Sequence, residues 1–484
     1  MEGFDAAVDA AVAPLTAALS ALIFVEIPVG DVGVPAVVVW LVAAGVFFTA
    51  HLGFVNLRGF SHGIALLSGR LSSRGEGSGS GEVSHFQALA TAVSGTVGIG
   101  NIGGVAVAIT LGGPGAAFWL FMAGFIGMAT KFAECTLGVR YRREQPDGTV
   151  SGGPMYYLEH GLAERGLTGL GRGLGLFYAV GIVIGCMGIG NMFQSNQAFV
   201  QFVVVTGGEG SWFADKGWLF GLVMAALVWL VIVGGIRSIA RVTQVLVPFM
   251  AVLYLVTAVV VLAMNIEAIP WALGRIVTEA FSTDAAAGGA LGALVIGFQR
   301  AVFSNEAGIG SASIAHSAVR TDQPASEGYV ALLEPFIDTM VICMATALVI
   351  VTTGYFAPGF SEGLDGIAMT SAAFARVVPF FPPLLAVAGM LFALSTMLAW
   401  SYYGLKGWTY LVGEHRGAEL GFQGVFCAFI VLGAMIQLSS VLDFSDAMVF
   451  VICVPNIIGL YLLAPRVREE MARYAAWREA GNGS

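Results

Sequence analysis

Charge is what this 484-residue chain has least of. Asp, Glu, Lys and Arg together make up 11% of it, against 57% hydrophobic residues, whereas ordinary soluble domains carry about 25% charge. That deficit excludes a water-soluble fold and points to a chain that crosses a bilayer many times. Lysine is nearly absent (Lys131, Lys216 and Lys406 are the only three), and the net charge is −9. A chain so poor in positive charge is not a nucleic-acid binder. The five cysteines, Cys135, Cys186, Cys343, Cys427 and Cys453, all lie inside apolar segments. They read as small core residues, not as a disulfide framework or metal site. No His/Cys run has metal-ligand spacing, so neither an enzyme nor a bound cofactor is expected. The N-terminus lacks the basic n-region of a signal peptide.

What the chain has in abundance is apolar runs. Eleven are marked at about 33–51, 86–111, 113–138, 174–203, 217–236, 241–264, 288–318, 328–353, 384–404, 420–437 and 444–464, and a span needs roughly 20 residues. The expected fold is an all-α integral membrane protein of eleven transmembrane helices. With that count the basic residues sort by side. Lys216, Arg275 and Arg376 fall on one face and Lys131 and Arg300 within spans. Every other Lys and Arg lies on the opposite, cytoplasmic face. The N-terminus is then outside and the C-terminus inside, in a cell membrane.

Along the chain, residues 1–32 form an external segment in which Phe4, Val8, Val12, Leu15, Leu19 and Leu22 recur near helical spacing. Residues 33–85 hold an extra first span and a Gly/Ser-rich flexible loop at 72–81. Five spans follow at 86–264 and five more at 265–464, with a cytoplasmic tail at 465–484.

Two of the runs are interrupted. Ser94-Gly-Thr-Val-Gly-Ile-Gly-Asn101 sits in the middle of one, and Ser304-Asn-Glu-Ala-Gly-Ile-Gly-Ser311 in the middle of another. Glycine weakens a helix, and a freed N–H or C=O in hydrocarbon costs several kcal/mol unless something satisfies it. Both therefore read as helices broken to face a solute. A glycine-rich packing seam is the plainer alternative, and Gly-Ile-Gly also recurs at Gly188–Gly190. Each break opens a group of five spans. Because five is odd, the two groups have opposite topology, the pattern that marks a secondary transporter's midplane site.

Broken ends offer carbonyls to cations and N–H groups to anions, and an amino acid zwitterion carries both charges. The amides near Gly98, Ile99 and Gly100 suit a carboxylate, and the carbonyls of Phe303 and Ser304 an ammonium group. Ser395 and Thr396 are adjacent hydroxyls in an apolar run. With carbonyls near Ala92, Val93 and Thr96 they offer hard oxygens to a sodium ion, unless they bond back to their own helix. Gln194, Asn196 and Gln197 form a polar cluster within reach of a carboxylate, and Trp400 either closes a side-chain pocket or packs as core. Ionisable groups inside spans are costly and usually functional. Lys131 and Glu134, three apart, are expected to pair. Arg300 is placed to neutralise Glu306, and Glu334 and Asp338 face the bundle. His316 reads as a helix-end hydrogen-bonding residue.

From about Val55 to Pro465 the chain resembles the alanine/glycine:cation symporter family. The stretches that carry the likeness are Ser94–Ala106, Gly112-Gly-Pro-Gly-Ala-Ala-Phe-Trp119, Gly127-Met-Ala-Thr-Lys-Phe-Ala-Glu134, Gly152-Gly-Pro-Met-Tyr-Tyr157, Phe303–Ser311 and Glu334-Pro-Phe-Ile-Asp-Thr339. The resemblance implies a LeuT-like fold of five-plus-five inverted repeats, with one extra N-terminal helix and two discontinuous helices. It implies sodium-coupled uptake of alanine or glycine, with the lipid bilayer as surroundings and no obligatory protein partner. It also places a sodium ion between the first break and Ser395/Thr396, and gives Asn101 the position used elsewhere in the fold for a second ion. Gln194 and Trp400 look like the family's substrate-contacting glutamine and pocket-limiting tryptophan. Relatives often read Gly-Thr-Gly-Asn where this chain has Gly98-Ile-Gly-Asn101, so a contact at Ile99 is through backbone; Thr96 is counted with it among the substrate-binding residues. The rival reading is a proton-coupled transporter of the same fold that uses Glu306 or Asp338.

Overall fold

A computed structural model describes residues 17–29, 32–69, 80–145, 148–282, 289–357, 366–436 and 438–482. Most of the proposed helical stripe (Phe4, Val8, Val12 and Leu15) and most of the Gly/Ser-rich loop fall outside that set, while Leu19 and Leu22 lie in a short helix at 17–23. Thirteen helices carry the argument: α1 (Ala36–His51), α2 (His85–Thr96), α3 (Gly103–Gly112), α4 (Gly115–Arg140), α5 (Thr168–Val205), α6 (Gly217–Ile232), α7 (Gly235–Met264), α8 (Gly289–Asn305), α9 (Ala312–His316), α10 (Pro324–Thr353), α11 (Phe381–Val412), α12 (Arg416–Gly433) and α13 (Leu438–Trp477). Every apolar run contains helix. Among the described residues seven helices are long and apolar enough to cross a membrane, or eight if the bent pair α2/α3 is one span. α1 and α6 are shorter apolar helices.

α7 shows what solvent the fold is built for. It is the most apolar of the long helices, yet only 33% of its most apolar window is buried, and Val245, Phe249, Val252 and Val256 point outward. An apolar stripe of that length facing out belongs against lipid tails.

Local sequence explains where the interrupted helices start and stop. Ser84 and Gln87 form a reciprocal capping box that opens α2: Gln87 N donates to Ser84 Oγ (3.3 Å) and Ser84 N to Gln87 Oε1 (3.1 Å). The helix ends at Thr96, Val97 and Gly98 run out of helical geometry, and a tight turn at Ile99–Asn101 leads into α3. The two halves are bent by 60°. In the second interrupted run α8 stops at Asn305. Glu306 then takes φ +58°, a left-handed conformation rare for a residue with a side chain. Gly308 and Gly310 also have positive φ before α9 begins.

Among the thirteen helices named above, two contain π-helical turns, Gly188–Met192 in α5 and Phe336–Cys343 in α10. The third Gly-Ile-Gly is thus a local widening of a helix, not a third break. Two small antiparallel hairpins were not anticipated. β1 (Glu26–Val29) pairs with β2 (Val32–Pro35) ahead of α1, and β3 (Arg143–Glu144) pairs with β4 (Val150–Ser151) after α4. Gly59-Phe-Ser-His-Gly63 has the spacing of a hydrolase nucleophile elbow, but Phe60–Leu67 is a helix preceded by another short helix, not by a strand.

The stretches that flank the two interrupted helices are tied together. Val83 and Val319 form a parallel bridge, Glu82 N donates to Ala318 O (2.7 Å) and Arg320 N to Val83 O (2.9 Å). Arg142 lies across the junction. Its guanidinium donates to Ser317 O (3.1 Å), Val319 O (2.6 Å) and Thr321 O (3.0 Å), and also to Ser80 O. A planar fork satisfies several carbonyls at once, which an ammonium group does not. Arg142→Gln is therefore expected to destabilise the protein by about 1.5–3 kcal/mol, the range for a lost charged hydrogen-bonding group. Arg142→Lys should recover only part of that. Thermal unfolding in detergent measures both, and wild-type stability in Arg142→Gln would contradict the assignment.

Candidate substrate and ion site

At a helix break, the carbonyls one turn back lose their usual donors. At the first break these are Ser94 O and Gly95 O, because Gly98 N turns to Asn101 Oδ1 (3.0 Å) and Ile99 N to Gln194 Oε1 (3.1 Å). Side chains of α11 take over: Thr396 Oγ1 donates to Ser94 O (3.0 Å) and Trp400 Nε1 to Gly95 O (3.3 Å). At the second break the carbonyls are those of Phe303 and Ser304. Ala307 N goes to its neighbour Asn305 Oδ1 (2.9 Å) and Gly308 N to Glu134 Oε1 on α4 (2.9 Å). Both breaks thus leave backbone acceptors in the protein interior, where an unpaired carbonyl costs free energy.

The breaks meet through side chains. Trp400 Nε1 also donates to Glu306 Oε1 (2.9 Å), so one fully buried indole touches both. Its ring lies where a Cβ on Gly190 would stand, 2.0 Å away, so only glycine fits at that π turn of α5. Phe303 packs edge-to-face on Phe193 (5.1 Å) and lies 3.4 Å from where a Cβ on Gly100 would be. Asn101 donates to Ser304 Oγ (3.2 Å) on α8 and to Asp338 Oδ1 in the π turn of α10. Asp338 Oδ2 accepts from Ser304 Oγ (2.7 Å) and Thr339 Oγ1 (2.6 Å).

The residues singled out from sequence fall into two groups. Thr96, Gly98, Ile99, Gln194, Ser395, Thr396 and Trp400 surround the first break and α11. Asn101, Phe303 and Ser304 lie on the α8/α10 side, beside Gly100. Ser395 Oγ bonds back to Phe392 O (2.9 Å), as the plainer alternative had it, while Thr396 Oγ1 reaches across to α2. Val93 O already accepts from Val97 N (2.7 Å) and Thr96 Oγ1 (3.3 Å), and Ala92 lies inside regular helix. The oxygens at the α2/α11 contact are Ser94 O, Ser94 Oγ and Gly95 O on α2, with the hydroxyl of Thr396 and Ser395 O on α11.

Several expected pairings are corrected. Lys131 does not pair with Glu134. It reaches Glu334 on α10 (2.9 Å), while Glu134 takes Gly308 N and Asn456 Nδ2 (2.9 Å). Facing helices approach closely here, so a cross-helix partner displaces the same-helix one. Arg300 does not neutralise Glu306, because it pairs with Asp446 on α13. Glu306 is held by Trp400 and by Ser311 Oγ. Of the polar cluster on α5 only Gln194 faces the break. Asn196 binds Gly433 O (3.3 Å) and Ile436 O (2.6 Å), and Gln197 binds Asn196 (3.1 Å). His316 ends α9 and lies between Glu327 (2.5 Å) and Glu334 (3.8 Å). Among the described residues no His/Cys/Asp/Glu group is arranged to hold a metal by itself.

Three residues at the breaks escaped the sequence reading. Thr346 donates to Asn101 O (2.9 Å), Thr370 to Ile102 O (2.9 Å) and Asn456 to Gly308 O (2.8 Å). Thr346 and Asn456 are polar groups inside apolar runs, and that was the available signal; Thr370 lies between two of the runs, beside Ser371, and gave none.

A bundle with two helix interruptions facing each other across its middle is the architecture of LeuT-like transporters. The structure matches the crystal structure of MhsT in complex with L-phenylalanine, with TM-score 0.56 at 15% identity, over 80% of this chain and 97% of that one. The chain belongs to the sodium:alanine symporter family, whose model matches residues 24–484. It is 40% identical over 438 residues to the sodium/alanine symporter AgcS of Methanococcus maripaludis, covering 90% of this chain and 93% of that one. It is 34% identical over 447 residues to the probable sodium/glutamine symporter GlnT of Bacillus subtilis, covering 92% and 88%. It is a multi-pass membrane protein of a transporter family.

The Gln194–Ile99 bond is directly testable. Gln194→Leu strands a buried N–H and is expected to cost about 1–3 kcal/mol, read as a lower melting temperature in detergent. An unchanged melting temperature would remove Gln194 from the break.

Proposed function

We propose that the protein carries a small neutral amino acid, alanine or glycine, into the cell together with sodium. The observation that carries this reading is the pair of breaks. The N–H groups around Gly98–Gly100, of which Gly98 and Ile99 would exchange Asn101 and Gln194 for the substrate, and the carbonyls of Phe303 and Ser304 are buried within one side chain of each other, poles suited to a carboxylate and an ammonium group. Trp400, held over Gly190 and bonded to both breaks, is assigned as the residue that limits the substrate side chain to a methyl group or a hydrogen. The coupling ion sits where Ser94 O meets the hydroxyls of α11, and Asn101 with Ser304 forms a second polar position beside the substrate. Eleven spans, one leading and ten in two inverted groups of five, are the arrangement we assign to the eleven helical apolar runs. The N-terminus is outside and the C-terminus cytoplasmic, and rocking of one bundle alternates access to the site. The names of the sodium-coupled relatives support the substrate class.

A second reading, in which a proton replaces sodium, is favoured by one observation. Glu306 is buried between the breaks, and its nearest expected cation, Arg300, is engaged by Asp446.

Uptake of radiolabelled alanine into proteoliposomes separates the two. An inward sodium gradient is expected to drive accumulation, and an imposed pH gradient without sodium is expected to drive none. Thr396→Val should need at least about tenfold more sodium for half-maximal uptake, a loss of about 1.4 kcal/mol in ion binding. Sodium-independent uptake driven by the pH gradient and abolished in Glu306→Gln would establish the proton reading instead.

A further inference from the structure

At the end of α1 the chain turns sharply. Phe54 takes φ +59°, and two short helices, Val55–Arg58 and Phe60–Leu67, lie across the end of the bundle. The second presses on the start of α10 so closely that a Cβ on Gly63 would stand 2.4 Å from Tyr329 O. Its buried side is Gly63 and Leu66, and its outer side carries Ile64, 48% exposed. Phe54 and Leu57 are 51% and 62% exposed beside it. Short helices with large apolar side chains turned outward, at the end of a membrane helix, lie in the interfacial layer of a bilayer.

Between these helices, α10 and the end of α13 is a cavity of about 270 Å³, lined by Arg58, His62, Tyr329, Met471 and Arg478 among others. His62 is fixed by Tyr474 OH (3.0 Å) and meets the Tyr329 ring edge-on at 4.7 Å. Burial, helped by the nearby Arg478 charge, pushes its imidazole down to about 4, so it is neutral. The cations of the cavity are the two guanidinium groups. Three other arginines at this end of the molecule have acidic partners: Arg140 and Arg473 pair with Glu470, and Arg466 with Glu469. Arg58 and Arg478 have none within ion-pair distance among the described residues.

We infer that this cavity binds the phosphate of an anionic phospholipid, with Arg58 and Arg478 as its ligands and the acyl chains lying along Phe54, Leu57 and Ile64. Guanidinium groups match phosphate oxygens in geometry as well as charge, and the neutral His62 adds no competing titration. The apolar fringe selects a lipid over a soluble phosphate, which has nothing to place there. The bound lipid would clamp the end of α1 to the end of α13, the helix that also carries Asn456 to the second break. The inference rests on the proposed function only in that α1 crosses a bilayer. Its readout is lipid binding, whereas failure of the transport reading would appear in alanine uptake.

The test is the melting temperature of the purified full chain in detergent, titrated with phosphatidylglycerol, with phosphatidylcholine of the same chains, or with glycerol 3-phosphate. Phosphatidylglycerol alone is expected to raise it. Arg58→Gln/Arg478→Gln should lose that shift with its lipid-free melting temperature unchanged. Arg58→Lys/Arg478→Lys, which keeps both charges, should retain part of the shift and serves if the glutamine pair fails to fold. Equal shifts with the two lipids, a full shift in the glutamine variant, or an equal shift with glycerol 3-phosphate would each overturn the assignment.

Discussion

A peptide group inside a bilayer must be hydrogen-bonded by something, and lipid tails offer nothing. Everything central to this structure follows from breaking that continuity twice and repairing most of it from across the bundle. Gln194, Thr396, Trp400 and Asn101 repair the first break, and Glu134, Asn305 and Asn456 the second. The repair comes from neighbouring helices, so any shift of α11 or α5 relative to α2 alters which backbone groups are satisfied. A solute that completes the set binds best in one arrangement of helices, and that difference in affinity is what moves a conformational equilibrium.

The buried charges obey the same rule. Lys131, Glu134, Glu306, Glu327, Glu334 and His316 are all fully or almost fully buried. Removing an ion from water costs several kcal/mol unless it is paired and hydrogen-bonded. Lys131 and His316 bind Glu334 and Glu327 into one cluster, while Glu134 and Glu306 are carried by backbone, amide, hydroxyl and indole donors. Those last two carboxylates point at the second break, where their donors set the backbone of Glu306 to Gly310. The left-handed Glu306 is local strain held in place by Trp400 and Ser311, as expected where geometry serves binding.

Much of this was legible in the residues. Both breaks were, because glycines and hydroxyls in the middle of an apolar run conflict with helix formation in lipid. Gln194 and Thr396 were too, as polar groups at depth. Partners were not. Spacing along one helix favoured Lys131 with Glu134 and proximity in sequence favoured Arg300 with Glu306, yet both pairings lost to residues some 150–200 positions away. Sequence spacing carries no information on which helices face each other. The π turn at Gly188 was also hidden, since its Gly-Ile-Gly is identical to the one at a true break. What separates them is Trp400, which fills the space over Gly190.

In the function proposed here, sodium and substrate share one assembly of broken-helix backbone. Calorimetric titration of the purified protein with L-alanine, in sodium chloride and in choline chloride, tests that most directly. Linkage requires that sodium tighten alanine binding by the same factor as alanine tightens sodium binding, and a gain of at least about tenfold, roughly 1.4 kcal/mol of coupling, is expected. Equal alanine affinity in the two salts would contradict it.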